Sequence, residues 1–124
     1  MEKGREIEMT QKAFSIEINK ATKTMEMMVS GTFTAQDYED FVNDYVTKTS
    51  SIDASQYLLE VDCRMMDLLT PGEVDKLQGS FTRYKETGFA KVNFIVTESQ
   101  SIIKMQLGRV ARMAGLTNIE VIVK

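Results

Sequence analysis

Apolar and polar residues alternate along this chain with two different periods, and each change of period marks an element. From Phe14, the apolar Phe14, Ile16 and Ile18 alternate with Ser15, Glu17 and Asn19, the period of two expected of a half-buried strand. After the polar stretch Asn19 to Lys23 the alternation resumes with Met25, Met27 and Val29, so the pair predicts a hairpin that Gly31 closes. Tyr38, Phe41, Val42, Tyr45 and Val46 then fall at i, i+3, i+4, i+7 and i+8, one face of a helix. Thr34 is placed to cap that helix with Asp37 three residues on, and the Ser/Thr run from Thr47 to Ser51 ends it.

The second half alternates strands and helices, with no internal sequence repeat. Tyr57 to Cys63 is mostly apolar, as in a central strand. Thr70-Pro71-Gly72-Glu73 has a capping threonine, a proline where no N–H is needed and a glutamate that completes a capping box. Val74, Leu77, Phe81 and Tyr84 supply the inward face of the helix it starts, and Gly88 stops it. Lys91 to Val96 is the next strand. A third helix, beginning near Glu98 to Ser101, presents Ile103, Leu107, Val110 and Ala114. Gly115 and Leu116 form its C-terminal cap, and Ile119 to Val123 is the last strand.

The order is β-β-α-β-α-β-α-β, an α/β fold with a mixed sheet of about five strands and helices mainly on one face. Residues 13–124 make one domain, and residues 1–12, polar and without period, are expected to be a flexible arm or an extra edge segment. Sites in such sheets favour the carboxyl ends of the strands, here the Cys63 to Thr70 and Thr97 to Ser101 loops.

Composition narrows the function. The 124 residues carry 15 basic and 18 acidic side chains, a net charge of −3 with the signs mixed, which argues against nucleic acid. No apolar run approaches a membrane span, and Met1 to Glu8 has no signal-peptide core, so a cytoplasmic protein is expected. There is no histidine, which removes the common triads and histidine metal sites, and the lone Cys63 rules out a disulfide framework. Neither a cofactor nor a catalytic group is expected.

Several residues carry two readings. Cys63 is a buried strand-end thiol or a nucleophile activated by Arg64, although Leu69 stands where a phosphatase loop has its arginine. Asp62 and Asp67 flank one loop, as solvated acids or as a thin cation site. Met65, Met66, Leu68 and Leu69 either plug the core or form an adaptable contact surface. Lys104, Arg109 and Arg112 complement the dipole of the third helix or meet an acidic partner or lipid.

Leu58 to Asp62, the apolar Met65 to Leu69, the turn Thr70-Pro71-Gly72, Val92 to Val96 and Ala114-Gly115-Leu116 together resemble the STAS domains, the family of the anti-sigma-factor antagonists. The resemblance spans about Phe14 to Lys124. It implies a non-catalytic regulatory domain that docks a protein, a kinase-like regulator among the options, through the second helix and its preceding loop. On this chain that surface is Met65, Met66, Leu69, Thr70 and Glu73. Regulatory members are phosphorylated on a serine at the start of the second helix; here no serine precedes Gly72, and Thr70 is the nearest hydroxyl, an N-cap or a substitute phosphoacceptor. The alternative is a domain that binds a small ligand or lipid at the strand ends. The hairpin edge also suits a homodimer.

Overall fold

In the computed structural model, which describes residues 13–31 and 33–124, the hairpin pairs β1 (Phe14–Asn19) with β2 (Thr24–Gly31). The expected N-terminal arm, residues 1–12, lies outside the described residues. The hairpin turns where the Asn19 carboxamide accepts from the N–H groups of Ala21 (3.1 Å) and Thr22 (3.2 Å), and Lys23 takes a positive φ of 53°. α1 (Ala35–Thr49), β3 (Leu58–Met66), α2 (Pro71–Thr87), β4 (Lys91–Val96), α3 (Ser101–Ala114) and β5 (Ile119–Val123) follow.

The sheet order is β1-β2-β3-β4-β5, antiparallel at the hairpin and parallel from β2 onward. Each crossover therefore moves one strand further in the same direction. Crossovers share one hand, so every helix falls on the same face. On that face Ile16, Met25, Met27, Leu59, Val61, Val92, Phe94 and Val96 join one core with Phe41, Tyr45, Phe81, Tyr84, Ile103, Leu107 and Val110 of the helices.

Aromatic rings bind the two layers. Phe14 meets Phe41 edge-on at 5.5 Å, Phe41 lies 6.1 Å from Tyr45, and Tyr45 lies 5.7 Å from Tyr84. Tyr84 follows Phe81 at 5.6 Å, and Phe81 stacks on Phe94 at 4.8 Å. The series runs from the edge strand β1 through α1 and α2 to β4, each contact adding about 0.5–1.5 kcal/mol beyond the buried area.

Three details depart from the sequence pattern. β3 continues past Cys63 to Met66, because β2 runs beside it and pairs Ser30 with Met65 and Gly31 with Met66 after a register shift. The loop ahead of α2 is correspondingly short. Val46, placed on the inward face of α1 by its spacing, is 53% exposed, since Phe41 and Tyr45 already fill the contact. A short 3₁₀ turn at Ala54–Gln56, begun by the Asp53 cap, tucks Ala54 under the core and sets up β3.

Leu59 is fully buried near the start of the central strand. Leu59→Ala is expected to lower stability by about 2–5 kcal/mol, read by chemical denaturation. A loss below 1 kcal/mol would show that the two layers are not held together there.

Candidate functional site

An order that never reverses leaves no switch-point crevice among the parallel strands, the usual ligand site of doubly wound sheets. The opening lies instead between α1 and α2, above the carboxyl ends of β2 and β3. Its wall is Val29, Phe33, Tyr38 and Phe41 on one side and Met66, Leu69, Glu73 and Leu77 on the other, with Ser80 and Tyr84 at its base. It holds about 80 Å³ of room. The two helices meet near Gly79, where an added Cβ would make only an ordinary contact, 3.5 Å, with the Tyr38 hydroxyl.

The end of β3 and the loop that leads from it to α2 form one lip of this groove. Met65 is 69% exposed and Leu68 56%, so both project into solvent, whereas Met66 and Leu69 are half-buried and turn into the groove. The apolar cluster is thus both things that its composition allows: Met66 packs against the core, and Met65 and Leu68 are surface.

Two glutamines of the third crossover hold the lip. The Gln106 carboxamide accepts from the Leu69 N–H and donates to the Leu69 carbonyl, each at 3.3 Å. Gln100 donates from Nε2 to the carbonyls of Cys63 (3.1 Å) and Arg64 (3.2 Å) while accepting from the Thr97 N–H. Gln100 occupies the N-cap position of α3 without capping it, because its side chain is already engaged. A carboxamide offers a donor and an acceptor at one point, which is what a loop backbone needs. Sequence reasoning missed both residues, and missed Phe33, Tyr38 and Phe41 as groove wall, since isolated polar or aromatic residues carry no signal of what they face.

Thr70 and Glu73 form a reciprocal capping box. Thr70 Oγ1 accepts from the Glu73 N–H (3.4 Å), and Glu73 Oε1 accepts from both the Thr70 N–H (2.9 Å) and the Thr70 hydroxyl (3.1 Å). The one hydroxyl near the start of α2 is therefore engaged twice, against a carboxylate. A phosphate on it would break the box and face that carboxylate, although the helix N-terminus itself favours an anion.

The polar candidates separate. Cys63 is 1% exposed, and burial first, the Asp62 charge second, push its thiol up to about 12. Arg64 does not activate it: the guanidinium grips Asp62 through Nε (3.0 Å) and Nη2 (2.8 Å). That grip holds the Asp62 carboxyl below its usual range. Asp67 follows β3 and lies beside the end of β2, its N–H donating to the Gly31 carbonyl at 3.5 Å. Among the described residues no group of three or more acidic, cysteine or histidine side chains gathers as a metal site. The Thr97 to Ser101 loop borders a separate open depression with Val123 and Lys124. Lys104, Arg109 and Arg112 are exposed on α3, away from the groove.

No known protein family matches the chain, and no curated protein does. What the structure defines is an α/β domain with a five-stranded mixed sheet and three helices on one face. No helix of the described residues is long and apolar enough to cross a membrane.

Thr70→Ala is expected to lower stability by about 0.5–2 kcal/mol. Thr70→Asp, which keeps the cap but faces Glu73, should fall between Ala and wild type. Thermal melts of the three proteins decide this, and equal melting temperatures would remove the box as a stabilising feature.

A thiol held this far above neutral pH and out of contact with solvent should resist alkylation in the folded chain. Iodoacetamide labelling followed by intact mass is expected to modify Cys63 only in denaturant. Rapid labelling under native conditions would show that β3 opens at its end.

Proposed function

We propose that this chain is a non-catalytic regulatory domain of the STAS-like kind, working in the cytoplasm, that binds another protein at the α1–α2 groove and the β3–α2 lip. The observation that carries the reading is the pairing of exposed Met65 and Leu68 with an apolar groove immediately behind them. Such a surface gains by burial on association, and methionine adapts to the shape of what it meets. The element order supports the kinship, as do the apolar segment before α2 and the Gly115-Leu116 cap, in which Leu116 is buried.

The binding residues in this reading are Met65, Met66 and Leu69, with Thr70 and Glu73 fixing the helix start beside them. The domain differs from the regulatory members that the resemblance brings in, because its α2 begins with an engaged threonine in place of a serine. Its association is then controlled by something other than a phosphate at that turn.

A small ligand or lipid in the same groove is the alternative. Ligand pockets usually offer about 300–1,000 Å³. The room of about 80 Å³ here suits one inserted side chain of a partner better.

The test uses Leu68→Asp and Met65→Asp, both at exposed positions, so the melting temperature should move by no more than about 2 °C. Wild-type protein used as bait in a lysate of its native cells should retain a partner that both variants lose. Equal retention by wild type and variants would overturn the reading. A thermal shift produced by fatty acids or nucleotides alone would favour the alternative.

A further inference from the structure

The face of the sheet opposite the helices carries a pattern that nothing so far described uses. Pairing across all five strands places Glu17 opposite Glu26, Glu26 opposite Glu60, Glu60 opposite Asn93, and Asn93 opposite Glu120. Four carboxylates thus stand in one row, and among the described residues Glu17, Glu26 and Glu60 make no ion pair. Of the cations on this side, Lys91 is engaged by Glu120 at 2.6 Å and Arg64 by Asp62 at 2.8 Å, and Lys124 lies close enough to act on Asp62 as well. The adjacent row, Ser15, Met28, Asp62, Ile95 and Ile122, is apolar at three of its five positions. Ile95, 4% exposed, is already buried within the chain, whereas Met28 and Ile122 are half-buried. The Asn93 carboxamide oxygen is buried and has no donor among the described residues. Sheets of parallel strands are nearly always covered on both faces. Among the described residues no helix covers this one.

The opposite surface of the domain supplies the complement. Ile102, Met105, Arg109, Arg112 and Met113 of α3 share a stripe turned away from the core, with Ile102 53%, Met105 55% and Met113 48% exposed. Lys104 flanks it, and α3 contains no acidic residue. These three cations make no ion pair among the described residues. Lys104 and Arg112 lie about 12 Å apart along the helix axis. Glu26 and Glu120 are three strand spacings apart, about 14 Å. Methionine and isoleucine of the stripe match the half-buried Met28 and Ile122 in kind.

We infer that the glutamate row and its apolar neighbours receive the outer stripe of α3 from a second copy of this chain. The two surfaces lie on opposite sides of a two-layer domain, so one copy cannot satisfy both. Copies join head to tail, and the product is a ring or an open chain according to whether the rotation closes. This contact does not involve the α1–α2 groove, and it differs from a dimer formed at the β1 edge.

Sedimentation equilibrium of the full chain tests it, with Glu26→Lys/Glu60→Lys as the sheet variant and Arg109→Glu/Arg112→Glu as the helix variant. Wild-type mass should rise with protein concentration and fall back with added salt. Each variant alone puts like charges together and should weaken association roughly a hundredfold. An equimolar mixture of the two variants should associate again, since each supplies the complement of the other; recovery also shows that both are folded. Three outcomes would overturn the inference: a monomer at every concentration, association indifferent to both reversals, or no recovery on mixing. A carbodiimide cross-link from Lys3 or Lys12 to Glu60 within one chain would assign the face to residues 1–12 and overturn it as well.

Discussion

Everything in this domain follows from strands being added to the sheet in one direction only. From β2 to β5 each new strand lies beside the last, parallel to it, at the cost of a helix to carry the chain back. Because the crossovers share one hand, three helices are forced onto one face. That face becomes the core, the other carries no helix among the described residues, and the crevice that a reversal of order would open never forms. The groove and the glutamate row sit where this constraint leaves them: between adjacent helices, and on the face that no helix among the described residues covers.

A layer of helices on one side must be held by contacts that reach across it. The ring series from Phe14 to Phe94 does this by passing through α1 and α2 on its way between strands. Two of its members are tyrosines with hydrogen-bond partners inside the layer: Tyr45 bonds Thr87 at 2.6 Å, and Tyr84 donates to the Met27 sulfur. Burial raises both phenols, Tyr45 to about 12, so they stay protonated and act as packing with a polar tip. Where the series passes from α1 to α2, the helices part on the strand-end side and the groove begins.

The lip of that groove shows how local and long-range forces divide the work. Thr70 and Glu73 begin α2 by a bond pattern contained in four residues, and it needs nothing from the rest of the fold. The position of the lip is a different matter. Gln100 and Gln106 hold it from 36 and 37 residues away through main-chain bonds to Cys63, Arg64 and Leu69. Met65 and Leu68 are consequently presented to solvent on a backbone that is tied down, so little ordering entropy remains to be lost when they are covered. Segments with few buried contacts are ordinarily the first to open, and these bonds counter that tendency here.

The order of elements was legible because each rests on near neighbours: a period of two at Phe14 to Ile18, a period of 3.6 at Phe41 to Tyr45, caps at Thr34, Thr70 and Gly115. Such signals are complete within a few residues, so the chain by itself determines them. The Met65 to Leu69 cluster was legible as a candidate site in the same way, by its composition alone. Which of its side chains turn inward was not, since that depends on how far β2 runs beside β3 and on a register shift after Met28. Val46 had the right spacing for the core and the wrong surroundings. Arg64 could be read as the neighbour of Cys63 until the structure gave it to Asp62. The glutamate row exists only in the register: Glu17, Glu26, Glu60 and Glu120 are ordinary outward positions of four separate strands, and pairing alone makes them neighbours. Periodicity decides which face of an element is apolar; only packing decides which elements share that face, and so what stands next to what.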